Sequence, residues 1–219
     1  MEQARSQVLS KETLAIIARQ LAASDKQLAS VFKWHGPPPL WRRPTGFATL
    51  VHIILEQQVS LRSGKAMFDR LNAAIDPFTP EEFVVRGEGD LRRLGVTRQK
   101  AAYLVHLASL IVDGELNLTR LSRMGDHDAR IALMRVKGIG SWSADVYLLM
   151  AMRRADIWPA GDLALAVAAQ DLMGLNTRPT PEELESLAER WRPHRAVAAR
   201  MLWQYYLAKK AEARKTGVR

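Results

Sequence analysis

Two short stretches carry residues that could do chemistry. In Trp158-Pro159-Ala160-Gly161-Asp162, a carboxylate follows a proline and a glycine and stands directly before LALAVAAQ, an apolar run that reads as a helix. A carboxylate at the first turn of a helix is stabilised as the anion by the helix N-terminus. Asp is also a frequent N-cap, and capping and chemistry are compatible readings of Asp162. In RVKGIGSWSADVYLLM, Arg135 to Met150, Gly138 and Gly140 lie two residues apart in front of a second helix. Both glycines would allow positive φ and close approach. The backbone N–H groups of Lys137, Gly138, Ile139, Gly140 and Ser141 would then stand at a helix N-terminus, which attracts a phosphate through unpaired donors and the helix dipole. The other reading is an ordinary tight turn between packed helices; Lys137 and the basic chain favour the anion. Backbone donors hold a phosphate without reading a base, so such a hairpin positions DNA with little sequence preference.

The elements that must position these residues are helical. TGFATLVHIILEQQ places Phe47, Leu50, Val51, Ile54 and Leu55 on one stripe of an amphipathic helix entered from Pro44. TPEEF from Thr79 and TPEELESLAERW from Thr180 each offer Thr as N-cap, Pro at the first helical position and Glu three residues after the cap. Further helices are predicted at about 10–23, 60–74, 97–113, 126–135, 141–153, 162–173 and 194–214, separated by Gly/Pro turns such as GEGD and HGPPPLWRRP. Nothing alternates with period two for long enough to make a strand, and no internal repeat is evident. The fold class is all-α, and the stiff Pro37 to Pro39 run is a candidate hinge between lobes.

Composition narrows the partners. The chain has 219 residues, 47% hydrophobic, enough for one domain or two joined lobes. Its 32 Lys+Arg against 23 Asp+Glu give a formal charge of +9, which favours a polyanion such as nucleic acid or an anionic membrane surface. No apolar run is long enough to span a bilayer, and MEQARSQVLSKETL lacks the core of a secretion signal. Having no Cys, the chain can form no disulfide, thiolate zinc site, Cys nucleophile or Cys-ligated iron–sulfur cluster. The five His, at 35, 52, 106, 127 and 194, never fall into metal-ligand spacing with carboxylates.

Taken together, LMRVKGIGSWSADVYLL followed by DIWPAGD resembles the helix-hairpin-helix and Gly/Pro-Asp signature of the DNA glycosylase superfamily, in particular its alkyladenine branch, the 3-methyladenine DNA glycosylase II type. IILEQQVSLRSGKAMFDRL, Ile53 to Leu71, is similar to that branch's QQVS helix pair, and WRPHRAVAARMLW, Trp191 to Trp203, resembles its C-terminal W-[KR]-P-x-R segment. The resemblance implies two helical lobes with an active-site cleft between them, as a single unit over 1–219 with the hairpin at about 126–153 and no added N-terminal β domain. It implies a monofunctional glycosylase that flips out alkylated purines of the 3-methyladenine and 7-methylguanine type and hydrolyses the N-glycosidic bond in base excision repair. The partner would be double-stranded DNA containing alkylated bases, and the protein a cytoplasmic, nucleoid-associated monomer. No cofactor is implied beyond a structural monovalent cation that family hairpins can bind. A non-enzymatic damaged-DNA-binding module and a same-fold glycosylase for deaminated or neutral lesions stay open as alternatives.

Residue by residue, the resemblance places the catalytic aspartate at Asp162. Bifunctional members carry Lys at the second position after the hairpin's second glycine; that position is Trp142 here, so the amine nucleophile of a lyase is missing. Trp142 and Trp203 match aromatic pocket positions, suited to a cationic base by cation–π stacking, although a Trp at helical spacing is also good core material. Gln57 matches a pocket residue. Gln58 matches the plug that fills the gap left by a flipped nucleotide, a position where the bacterial enzyme has Leu. That enzyme's Tyr one turn after the hairpin Trp corresponds to Val146, leaving Tyr147 and Trp158 as substitutes or as packing. Lys65, Arg135, Lys137 and Arg195 are candidate phosphate contacts beside the commoner reading as solvated charges.

Overall fold

The computed structural model describes residues 7–216, and its regular structure is α-helical apart from a short 3-10 turn. The helices are α1 (Lys11–Ser24), α2 (Lys26–His35), α3 (Phe47–Glu56), α4 (Leu61–Ala74), α5 (Pro80–Arg93), α6 (Arg98–Val112), α7 (Leu118–Leu121), α8 (Asp126–Met134), α9 (Ser141–Met150), α10 (Leu163–Met173), α11 (Pro181–Ala188) and α12 (Arg195–Thr216), with the 3-10 turn at Glu189–Trp191. An antiparallel bridge between Val8 and Arg154 is the only β pairing among the described residues. The chain forms two compact units. Among the described residues, one runs over Arg43–Met152 and the other joins 7–42 to 153–216.

In the first unit α3 is the central element. Beyond the predicted stripe it also buries Thr49 and Ile53, because α4, α6 and α9 all pack on it. A helix apolar on most of its circumference belongs inside a bundle. At its start Phe83 meets both Phe47 and Phe78 edge to face, with 4.9 Å between ring centroids in each pair. At its end Glu56 pairs with Arg43 at 2.8 Å and with His52 at 3.3 Å.

This unit contains a repeat that direct reading of the sequence misses. LRRLGVTRQKAAY (Leu91 to Tyr103) and LMRVKGIGSWSADV (Leu133 to Val146) both fold as helix, tight turn, helix. In each, a buried Leu (91, 133) precedes a glycine at positive φ (Gly95, +96°; Gly138, +85°). A buried β-branched residue follows (Val96, Ile139), then a buried Ala (101, 144) in the second helix. Lys137 has no counterpart in the first copy, and that one-residue insertion breaks the alignment.

Other expectations shift in detail. The predicted 141–153 helix ends at Met150, and α2 and α7 were not anticipated. Helix α2 follows α1 after the single residue Asp25 and buries only Leu28 and Val31, so it offers little apolar period to read. The two Thr-Pro helix starts behave differently: Thr180 and Glu183 form a complete capping box, whereas Thr79 makes no side-chain cap bond. The GEGD stretch does separate two helical segments: Gly87, with non-helical backbone (φ 64°, ψ −177°), kinks the chain within α5.

In the second unit α12 is the spine against which α1, α2 and α10 pack. Asp25 accepts from Leu28 N–H to cap α2 and from Trp191 Nε1 at 2.9 Å, tying α2 to the turn ahead of α12.

Candidate active site and nucleic-acid interface

Asp162 is the N-cap of α10. A turn closed by Asp162 N–H to the Pro159 carbonyl (2.9 Å) brings it to the helix start, where its Oδ1 accepts from Leu165 N–H at 3.0 Å. Trp203 Nε1, from α12, donates to the same oxygen at 3.0 Å. The half-buried carboxylate therefore has one oxygen held by two hydrogen bonds at the positive end of a helix dipole. Leu163 beside it is 58% exposed, a large apolar side chain at the surface that the sequence did not single out.

The segment preceding Asp162 is anchored by Arg195. Its guanidinium reaches the Asp156 carboxylate at 3.0 and 3.1 Å, the Asp156 carbonyl at 3.0 Å and Glu189 at 3.1 Å, and Ala196 N–H donates to the Ala155 carbonyl. Arg195 is thus a buried structural ion, and its candidacy as a phosphate contact is corrected. Trp158 is corrected as well: 1% exposed and 5.4 Å from the ring of Trp191, it is core. Trp203 is 8% exposed, with its indole N–H committed to Asp162, so what it demonstrably does is hold the carboxylate.

The glycine hairpin belongs to the first unit. Helix α8 ends at Met134, and buried Val136 and Ile139 anchor a turn closed by Ile139 N–H to the Val136 carbonyl at 3.0 Å. Gly138 needs to be glycine twice over: φ is +85°, and a Cβ would lie 2.1 Å from the Tyr103 ring. Gly140 does not follow the expectation of positive φ. Its φ is −86°, and a Cβ there would meet nothing within 4 Å. Gly140 is the N-cap of α9 and offers no capping side chain. Ser141 is exposed, Lys137 is exposed and Trp142 is half-buried in that first turn. Lys137 N–H donates to His106 Nδ1 at 3.1 Å; burial, and then the nearby Lys137 charge, push the His106 pKa down, which keeps that nitrogen an acceptor.

Gln57 and Gln58 follow the last residue of α3 and do different work. The Gln57 amide donates to the Gly138 carbonyl at 2.7 Å and to Ser143 Oγ at 2.9 Å, so Gln57 braces the hairpin. Gln58 is exposed and holds φ at +56°, a strained conformation for a residue with a side chain. Val59 and Leu61, which follow it, are exposed. Tyr147, a second pocket candidate, is buried; its hydroxyl accepts from Gly46 N–H at 2.9 Å and burial raises its pKa. It fixes the start of α3. Of the remaining candidate cations, Lys65 pairs with Asp69 at 2.6 Å and Arg135 with Glu115 at 3.0 Å. No three His, Cys, Asp or Glu side chains converge among the described residues, so a cation at the hairpin would rest on backbone carbonyls. Of these, Val136 already accepts from Ile139 and Gly138 from Gln57.

A family model described as HhH-GPD superfamily base excision DNA repair protein matches residues 51–193, a span that takes in Gln57 and Gln58, the glycine hairpin and Asp162. The chain belongs to this superfamily. It is 25% identical over 189 residues to a putative DNA-3-methyladenine glycosylase of Bacillus subtilis, covering 83% of this chain and 66% of that one, slightly under two thirds of its length. Among solved structures it superposes on a DNA-3-methyladenine glycosidase from Bacillus halodurans with a TM-score of 0.76 at 27% identity, over 90% of this chain and 89% of that one. It also superposes on a Schizosaccharomyces pombe 3-methyladenine DNA glycosylase in complex with abasic DNA, with a TM-score of 0.77 at 23% identity, over 86% and 95% of the two chains.

Proposed function

We propose that this HhH-GPD protein is a monofunctional glycosylase that removes alkylated purines of the 3-methyladenine and 7-methylguanine type from double-stranded DNA, acting as a monomer. The observation that carries the reading is the Asp162 carboxylate, fixed at the start of α10 by Leu165 N–H and Trp203 Nε1. The hairpin amides and Lys137 take backbone phosphates of the duplex. The target nucleotide leaves the stack, Gln58 fills the gap, and the half-buried Trp142 offers an aromatic face to the electron-poor base.

An N3- or N7-alkylated purine is cationic and leaves as a neutral base, taking the electrons of the N-glycosidic bond. Positive charge then develops on the sugar, and the anionic Asp162 stabilises it. Water, oriented by the same carboxylate, adds to C1′ and releases its proton to solvent, giving an abasic site. With Trp142 at the position where bifunctional members carry Lys, the amine that forms their Schiff base is missing, so the strand stays intact.

The test is base release from alkylated duplex DNA, followed by mass spectrometry of the freed bases. Asp162→Asn should keep duplex affinity and lose about 100- to 1000-fold in release, the usual cost of removing one preorganised electrostatic partner. Normal release by Asp162→Asn would remove Asp162 from its assigned role. Buried Tyr147 and Val146 take the place of the pocket Tyr of the bacterial enzyme, so the panel should include neutral lesions beside cationic ones.

A further inference from the structure

Helix α6 places Lys100, Tyr103 and His106 at intervals of three, on one face. All three touch segments that the function uses. The Tyr103 ring packs beneath Gly138, and His106 accepts from Lys137 N–H, so both hold the hairpin. Lys100 holds the other segment. Its ammonium donates to the carbonyl of Leu55 at 2.7 Å and to that of Gln57 at 2.9 Å, at the C-terminal end of α3. Helix ends leave carbonyls without intrahelical partners, and a cation there also meets the negative end of the dipole. Burial lowers the Lys100 pKa, as befits an ammonium withdrawn from water to serve two carbonyls.

The Gln57 carbonyl belongs to the peptide plane from which Gln58 departs at φ +56°. Holding that plane fixes where the strained residue points. The Gln57 side chain runs the other way, to Gly138 and Ser143 of the hairpin. One face of α6 therefore seats both segments, and Lys100 secures the one that carries Gln58.

We propose that Lys100 is a positioning residue for Gln58, setting the plug relative to the phosphate-gripping hairpin before DNA arrives. This rests on the proposed role of Gln58 in filling the vacated stack. Its consequence is selective: loss of the ammonium should spare the grip on undamaged duplex and remove the preference for a duplex with a gap in its stack.

The chain contains no cysteine, which permits a clean test on the full-length protein. Lys100→Cys would be compared with the same preparation after alkylation by bromoethylamine, in which the thiolate displaces bromide and restores an ammonium at nearly the lysine length. Three quantities are measured: affinity for undamaged duplex, affinity for a duplex carrying a tetrahydrofuran abasic analogue, and single-turnover release of 7-methylguanine. The unmodified variant should lose about 100-fold in release, as expected for a misplaced positioning group, together with its preference for the abasic analogue. Undamaged-duplex affinity should hold, and aminoethylation should restore the rest. Lys100→Met and Lys100→Arg give the same contrast genetically, with thermal unfolding showing that each is folded at the assay temperature. An equal loss on damaged and undamaged duplex, wild-type release by the thiol form, or failure of the amine to rescue a folded protein would each overturn the assignment. Failure of the wild type to release any base would instead overturn the glycosylase reading, and the role of Lys100 with it.

Discussion

Oδ1 of Asp162 accepts from a backbone amide and from an indole, and both bonds recur as a theme: groups that might have met a ligand are engaged in holding another group in place. Trp203, Gln57 and Tyr147 were all readable as pocket walls, and each has its polar atom tied to the protein's own framework. Sequence gives residue types and their period but not the partner of each polar atom, so positioning residues and contact residues look alike there. Gln58 is the opposite case, exposed and strained. A side chain in the left-handed region costs roughly 1–2 kcal/mol, part of which glycine would recover. Gln58→Gly should therefore raise unfolding stability by about 0.5–1 kcal/mol after the entropy of the glycine is offset. The same change should weaken binding to lesion DNA. Urea denaturation gives the first quantity, and a lower midpoint would mean that φ +56° carries no strain.

The two glycines of the hairpin make the same contrast between elements. The spacing of Gly138 and Gly140 was legible, and so was the helix on each side. What each glycine does was not, because a G-x-G pattern does not record φ or the ring that packs beneath it. Gly138 is demanded by the fold; Gly140 has ordinary φ and open space before it, so nothing within the protein excludes a methyl group there. Gly138→Ala should cost about 2–4 kcal/mol, combining unfavourable φ with overpacking against Tyr103. Gly140→Ala should leave thermal unfolding almost unchanged and weaken binding to any duplex, since its added carbon stands where a phosphate would approach. A Gly140→Ala protein with full affinity would show that the N-cap of α9 is not a DNA contact. The repeated turn at Gly95 was missed for a related reason. Its glycine shares the geometry of Gly138, but the extra Lys137 throws the two copies out of register in a direct comparison.

At the scale of the whole molecule, the groups proposed to grip DNA lie in the unit spanning Arg43–Met152, and the carboxylate lies in the other. No helix among the described residues is long and apolar enough to cross a membrane. The formal charge of +9 supplies attraction to a polyanion at long range, but only cations held at phosphates contribute to the release of counterions. Pairing separates the two kinds. Arg195 is buried against Asp156 and Glu189, Lys65 is bonded to Asp69 and Arg135 to Glu115, so these charges are already partly neutralised within the protein. Lys137 sits in the hairpin itself, exposed. Each phosphate neutralised contributes about 0.9 to the slope of log affinity against log salt for duplex DNA. Lys137→Met should accordingly reduce that slope by about one and weaken damaged and undamaged duplex alike, because a phosphate contact carries no information about the base. Lys65→Met should leave the slope where it was. Titrations of both variants between low and physiological salt decide the matter: an unchanged slope for Lys137→Met would place its ammonium away from the backbone, and a change for Lys65→Met would show that its pairing with Asp69 yields to DNA.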